Sequence, residues 1–303
     1  MDNNILGTYV NGNTIVAIYK DGTKERYVKD SEVPAPDFPE SIDLKITNRC
    51  TMGCHFCAES STPDGVHANL YSPLLDSIHP YTELAIGGGN PLDHPELVGF
   101  LNELKRKHVI CNMTVNSEHF MENLGLIRHL QDLNLIHGLG VSVPARVQYG
   151  FIDKLKGFRN TVVHTIAGYT PIHTYALLAD HDLNLLILGY KVKGRGVEFC
   201  SEFYDDLSEH LCELSEHVTK MRDHFKAIAF DNLAVKQLKL FEKFNPDEMN
   251  QLYMGDDGEY TMYIDLVTNK FGKSSSHPLR NINADSIDSL FAQVHGEENY
   301  LWQ

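Results

Sequence analysis

No run of about 18 consecutive apolar residues occurs in the 303-residue sequence, so no membrane-spanning helix is expected. Nor does the start, Met1-Asp2-Asn3-Asn4, carry the basic and then apolar pattern of a secretory signal. A reducing cytoplasm is the expected location. Cations are scarce: 26 Lys and Arg stand against 41 Asp and Glu, a formal net charge of −15. Such a surface repels phosphate backbones, which argues against general nucleic-acid binding. Six cysteines in a chain of this size are too few for a disulfide framework. Internal repeats and low-complexity tracts are missing as well.

What is present is an ordinary globular composition, 42% hydrophobic with a mean hydropathy of −0.27. The chain is long enough to bury an ample core, as one large α/β domain with appendages or as two small domains. Residues 5–29 read as a small antiparallel unit, because Asn11-Gly12 and Asp21-Gly22 separate β-rich runs and favour hairpin turns. Pro34, Pro36 and Pro39 then mark a connector. From Ile42 onward, short apolar runs alternate with amphipathic stretches, with strands expected at 42–47, 83–87, 109–115, 138–143, 161–166, 184–188 and 227–230. Pro95 is placed at the first turn of one helix, and Leu207, Leu211, Leu214, Val218 and Met221 form the stripe of another. Repeated β-α units imply parallel strands, in a barrel or an open sheet. After about residue 245 a hairpin is expected, over 259–266 and resuming at Phe271, with Asp256-Asp257-Gly258 as a turn before it.

Three of the cysteines are clustered: Cys50, Cys54 and Cys57, spaced C-x3-C-x2-C. Three such thiolates can hold three irons of a four-iron cluster and leave the fourth open to a chelating ligand. The competing reading is zinc held by these three and His55 or His67. The motif follows the expected strand 42–47 at its C-terminal end, where β/α barrels place their reactive groups. That position favours the cluster.

With Phe56 between the last two cysteines, the run resembles the signature of the radical S-adenosylmethionine (SAM) superfamily. The resemblance extends over residues 42–196. Gly87-Gly88-Gly89-Asn90-Pro91 resembles the family's Gly-Gly-Glu-Pro element, with Asn90 where glutamate is usual. Thr114-Val115-Asn116, Ser142 and Ile166-Ala167-Gly168 match further strand-end positions. The resemblance implies a partial (β/α)6 TIM-like barrel over 41–232. An N-terminal β appendage and linker would occupy 1–40, and a helical and β extension 233–303, ending in a surface tail at Glu297-Glu298 and offering a possible substrate cap.

It also implies a [4Fe-4S] cluster on Cys50, Cys54 and Cys57 with SAM on the open iron. An electron from a reduced flavodoxin or ferredoxin would cleave SAM to methionine and a 5′-deoxyadenosyl radical, which abstracts hydrogen from a substrate. Phe56, Gly88, Gly89, Asn90, Pro91, Asn116, Ser142 and Gly168 would hold SAM. Lys193 and Arg195, with Lys191, would meet the SAM carboxylate or an anionic substrate.

No cysteine-rich extension supports auxiliary clusters. The substrate is left as a peptide or a small molecule, including a deazapurine or nucleotide-like ring, and no catalytic side chain is assigned. The alternative from another class is a non-catalytic zinc or iron–sulfur protein that binds a partner. His55, His67 and His94 are near the expected active face, Cys111 reads as a core residue, and Cys200 is the candidate if a cysteine donates hydrogen. Tyr260, Met262 and Tyr263 form a lid or pack as an ordinary strand. The N-terminal hairpin is a flap over the barrel's open edge.

Overall fold

A computed structural model describes residues 4–28, 33–143 and 145–296. The surface tail expected at Glu297-Glu298 lies outside the described residues. Three strands, β1 (Ile5–Asn11), β2 (Thr14–Tyr19) and β3 (Lys24–Val28), form a small antiparallel sheet. Ten more form a second sheet. They are β4 (Ser41–Thr47), β5 (Glu83–Gly88), β6 (Ile110–Asn116), β7 (Gly138–Ser142), β8 (Thr161–Ile166), β9 (Asn184–Leu188), β10 (Ala227–Phe230), β11 (Thr261–Asp265), β12 (Lys270–Gly272) and β13 (Arg280–Asn281).

The spatial order is β10-β9-β8-β7-β6-β5-β4-β11-β12-β13. Strands β4 to β10 lie side by side in chain order and all pair in parallel. This is a TIM-like sheet left unclosed, with β10 and β13 at its edges. The expected partial barrel is present, with β10 continuing its parallel series and β11 pairing in parallel with the free side of β4. The expected hairpin is therefore part of the main sheet: β12 returns antiparallel to β11 after a turn in which Asp265 Oδ1 accepts from Val267 N (2.9 Å) and Thr268 N (3.0 Å).

Side chains alternate across each strand. One face carries Ile42, Leu44, Ile46, Leu84, Ile86, Met113, Val115, Leu139, Val141, Val163, Leu185, Ile187, Met262 and Ile264, all buried in the main core. Helices cover it. In Leu97–Arg106 the buried residues are Leu97, Phe100, Leu101 and Leu104, and in Tyr204–Met221 they are Leu207, Leu214, Val218 and Met221. Pro95 does not open the first of these, which starts at Leu97 with Glu96 at its cap. Pro91 instead opens the preceding 3-10 turn, Pro91–Asp93, which the Asn90 side chain caps.

The small sheet docks on the N-terminal ends of the barrel strands rather than over an open edge. Lys24 pairs with Glu83 at 2.7 Å and Arg26 with Glu40 at 2.8 Å. A Cβ on Gly7 would lie 2.2 Å from the Tyr81 ring, so β1 packs there at backbone distance. The opposite, C-terminal ends of the strands stay free for a site.

Candidate active site

The chain leaving β4 turns back on itself. Asn48 N donates to Val66 O (2.9 Å), Thr62 N to Asn48 O (3.1 Å), Cys50 N to Thr62 O (2.9 Å) and Ala68 N to Ile46 O (2.9 Å). Gly65 allows this closeness, since a Cβ there would stand 2.0 Å from Asn48 O. Cys50, Cys54 and Cys57 sit half-buried on this loop at the C-terminal end of the strand. Thr51 Oγ1 meets His119 Nε2 at 3.3 Å and ties the loop to the helix Ser117–Glu122.

Arg195 clamps the loop from across the sheet. Its backbone N donates to Cys57 O (3.1 Å), its Nε to Cys54 O (2.9 Å) and its Nη1 to Ser61 O (3.0 Å). Its guanidinium therefore orders the cysteines, whereas the resemblance offered it to a SAM carboxylate. Lys193 reaches elsewhere: its Nζ donates to Ser275 O (3.1 Å) and stands 5.9 Å from the centre of the Tyr263 ring.

Burial raises the Cys50 and Cys54 thiols above their ordinary range, and the neighbouring cysteines raise them further. Three thiolates this close repel one another unless a cationic group is shared among them. Among the described residues, no three of His, Cys, Asp and Glu converge on a single-ion position. A four-iron cluster with one open iron takes three thiolates, one to each remaining iron, and three cysteines on one loop supply that number. The zinc reading needs a fourth donor at the same point. His67 instead meets Thr47 Oγ1 through Nδ1 (2.9 Å) and packs edge-on to His94, while His55 lines a surface cleft with Glu198 and Glu202. His94 is a structural residue, with Nε2 on Ala68 O (3.0 Å) and Nδ1 accepting from Glu96 N (3.2 Å).

The glycine run lies directly under the loop. Gly89 N donates to Thr47 O (2.8 Å) and Asn90 N to Arg49 O (2.7 Å). A Cβ on Gly88, whose φ is +116°, would stand 2.4 Å from Thr47 O, and one on Gly89 2.1 Å from Arg49 O. Both glycines are thus required by the approach of the chain leading into Cys50. Gly87 differs: a Cβ there would meet nothing within 4 Å. It borders open space inside the barrel. Asn90 is buried, accepts from Leu92 N (3.3 Å) and donates to Asp93 Oδ1 (3.0 Å), which fixes the turn beside Cys50. Pro91 is buried at the start of that turn.

The remaining strand-end residues split into two groups. Asn116 caps the helix Ser117–Glu122 through Oδ1, which accepts from Glu118 N (2.9 Å), and it pairs in register with Ser142. Phe56 packs on Tyr169, ring centres 3.9 Å apart, with Phe199 beyond. Gly168, at φ +79°, brings Tyr169 there by turning against Leu207 O. The charge of Cys54 helps to raise the Tyr169 phenol, after burial. Cys111 is a core residue whose thiol is pushed up to about 12 by burial. Cys200 lies half-buried on the helix Gly196–Glu202.

Sequence reasoning missed the inner wall of the sheet. On β4, Asp43 and Lys45 alternate with Ile42, Leu44 and Ile46, and that alternation was the available signal. Lys45 Nζ pairs with Glu59 at 2.6 Å and with Asp265 at 3.2 Å. Tyr263 stands beside Asp43 in register, so of the three residues offered as a lid Met262 joins the core, Tyr263 lines the interior, and Tyr260 is stacked under Arg26 at 4.2 Å.

No protein-family model matches this chain, and no curated protein matches it. Among solved structures, it is similar to SuiB of Streptococcus suis. Against the crystal structure bound to S-adenosylmethionine, the TM-score is 0.55 at 11% identity, covering 89% of this chain and 81% of that one. Against another SuiB crystal structure, it is 0.53 at 10% identity, covering 89% and 82%. The chain shares its overall fold with SuiB.

Proposed function

We propose that this chain is a radical SAM enzyme with one [4Fe-4S] cluster. The observation that carries the reading is the cysteine loop. Three cysteines stand on one loop at the C-terminal end of β4, clamped by Arg195 and seated on Gly88 and Gly89, in a sheet similar to that of SuiB. Cys50, Cys54 and Cys57 would each hold one iron. When bound, the cluster and SAM supply one-electron cleavage of SAM to methionine and a 5′-deoxyadenosyl radical.

This chain's own residues do the positioning. Arg195 donates to the carbonyls of Cys54 and Ser61 and fixes the spacing of the thiols. Gly87 leaves room for the amino-acid end of SAM beside the loop. Asn116 and Ser142 offer polar groups at the next two strand ends, while Phe56 and Tyr169 give an aromatic wall for the adenine. The substrate enters the open interior of the barrel, and the electron comes from a flavodoxin or ferredoxin.

The test is reconstitution with iron and sulfide without oxygen. A brown protein that yields 5′-deoxyadenosine from SAM on dithionite reduction is expected. A colourless protein with one equivalent of zinc would favour the non-catalytic alternative and end the proposal.

A further inference from the structure

The interior of the barrel has a chemistry of its own. Read across the sheet register, one inward row runs Tyr263, Asp43, Ala85, Asn112, Gly138, and the next begins Asp265, Lys45, Gly87. Farther along, Asn116, Ser142, His164 and Leu186 share a row. The centre of this face carries Ala85, Gly87, Gly138 and Gly140, the floor of a trough that is open at Gly87 and overlaid by the Asn112 side chain at Gly138, where a Cβ would stand 2.7 Å from Oδ1. His164 leans into it from one side: a Cβ on Gly140 would stand 2.6 Å from its Nε2 and 3.0 Å from Thr114 Oγ1. Burial holds this imidazole neutral, lowering it to about 4.

The other wall is charged, and most of its charged groups are hydrogen-bonded. Lys45 has Glu59 and Asp265. Lys191 Nζ donates to Ser275 Oγ (2.7 Å), and Lys193 Nζ to Ser275 O (3.1 Å). Asp231 accepts from Gly189 N (2.8 Å) and Ala234 N (2.7 Å). Asp257 accepts from Asn232 Nδ2 (2.8 Å) and faces His277 at 3.4 Å. Asp43 is the exception. Among the described residues it makes no hydrogen bond and no close ion pair, although Lys191 faces it at longer range. Its side chain is reachable from the interior. Beside it, the Tyr263 hydroxyl is buried with no partner at hydrogen-bond geometry, on a residue that is 5% exposed. The Asp43 carboxylate is exposed to the interior and open to a ligand, while the Tyr263 phenol has the Glu59 carboxylate as its leading charged neighbour, with Asp265 and Asp43 next.

We infer that this face of the barrel is a substrate subsite for a cationic group, an alkylammonium or guanidinium, taken by Asp43 with Tyr263 beside it. The rest of the substrate lies along the trough toward the neutral His164. This rests on the radical SAM reading and names the class of substrate that reading leaves open. An ammonium or guanidinium carries several donors, enough for both oxygens, and its charge answers the carboxylate that has no hydrogen bond.

The experiment is calorimetric titration of the intact reconstituted protein with paired probes. N-acetyl-lysine methylamide and N-acetyl-arginine methylamide represent a peptide side chain, cadaverine and agmatine represent free amines, and N-acetyl-norleucine methylamide is the neutral isostere. Cationic probes should bind about tenfold tighter than the isostere, and Asp43→Asn, nearly isosteric, should erase that preference. Whichever of the peptide and free-amine pairs binds tighter identifies the source. Equal binding of lysine and norleucine probes, or an unchanged preference in Asp43→Asn, overturns the subsite. Binding is read separately from 5′-deoxyadenosine formation, so failure of the subsite and failure of the radical SAM reading are distinguishable.

Discussion

The two faces of the main sheet are built from the same strands and follow opposite rules. On the outer face, Leu44, Ile86, Val141 and Ile187 are each 1% exposed or less and lie under helices. On the inner face, the intervening positions are Asp43, Lys45, Gly87, Gly140 and His164, with small residues in the middle and unpaired groups at the side. One face supplies burial and close packing, which stabilise the fold. The other mixes an exposed carboxylate, Asp43, with the buried ion pair of Lys45 and Asp265, and it is the face beneath the cysteine loop.

The largest expected difference lies between neighbours on the two faces. Leu44→Ala should cost about 2–5 kcal/mol in urea unfolding, because it opens a cavity under the helices. Gly87→Ala on the inner face should stay within about 0.5 kcal/mol, since its Cβ enters open space, while SAM affinity falls. A large loss of stability at Gly87 would break the comparison.

Next comes the seam between the faces. Gly89→Ala sets a methyl against the Arg49 carbonyl, where neither backbone can yield. A cost of about 1–3 kcal/mol is expected, with iron content reduced in reconstituted protein. Unchanged iron loading would show that the seam does not position the cysteines. Arg195→Ala removes two side-chain donors from the loop carbonyls. The expected cost is also about 1–3 kcal/mol, and limited proteolysis should cut within residues 48–72 faster than in the parent.

The smallest effect is electrostatic. Burial raises Asp43 to about 6 from an ordinary 3.8, with Asp257 and Asp231 adding to the rise and Lys191 opposing it. A carboxyl raised in the folded state favours folding below its unfolded value and loses that contribution as pH climbs through about 4 to 6. Asp43→Asn should therefore be neutral near pH 4. Above pH 7 it should be more stable than the parent by on the order of 1 kcal/mol, a figure reduced because solvent reaches the group. Equal stability at both pH values would mean that Asp43 is solvated like a surface carboxylate.

Much of the outer face was legible in the sequence. Apolar runs at the right spacing marked β4 to β10, and the cysteine spacing marked the loop, because both signals are local. What stayed hidden depends on contacts between distant segments. The pairing of β11 with β4 joins Thr261 to Ser41, and no local pattern encodes a parallel partner. Arg195 looked like an anion ligand because its partners, the carbonyls of Cys54, Cys57 and Ser61, belong to another loop. The glycine run was read as one ligand-binding element, yet only the backbone around it separates Gly88 and Gly89, pressed against Thr47 and Arg49, from Gly87, which is open. Asp43 and Lys45 were visible as polar residues in an apolar strand, but which face they take follows only from the register with Tyr263 and Asp265.

The most direct test of the account is the yield of 5′-deoxyadenosine from SAM by the anaerobically reconstituted protein under dithionite, compared with its Cys54→Ala variant. The account predicts a brown parent that forms 5′-deoxyadenosine and a variant that forms none. A parent that binds iron but leaves SAM intact, or a variant that cleaves SAM as well as the parent, would contradict it.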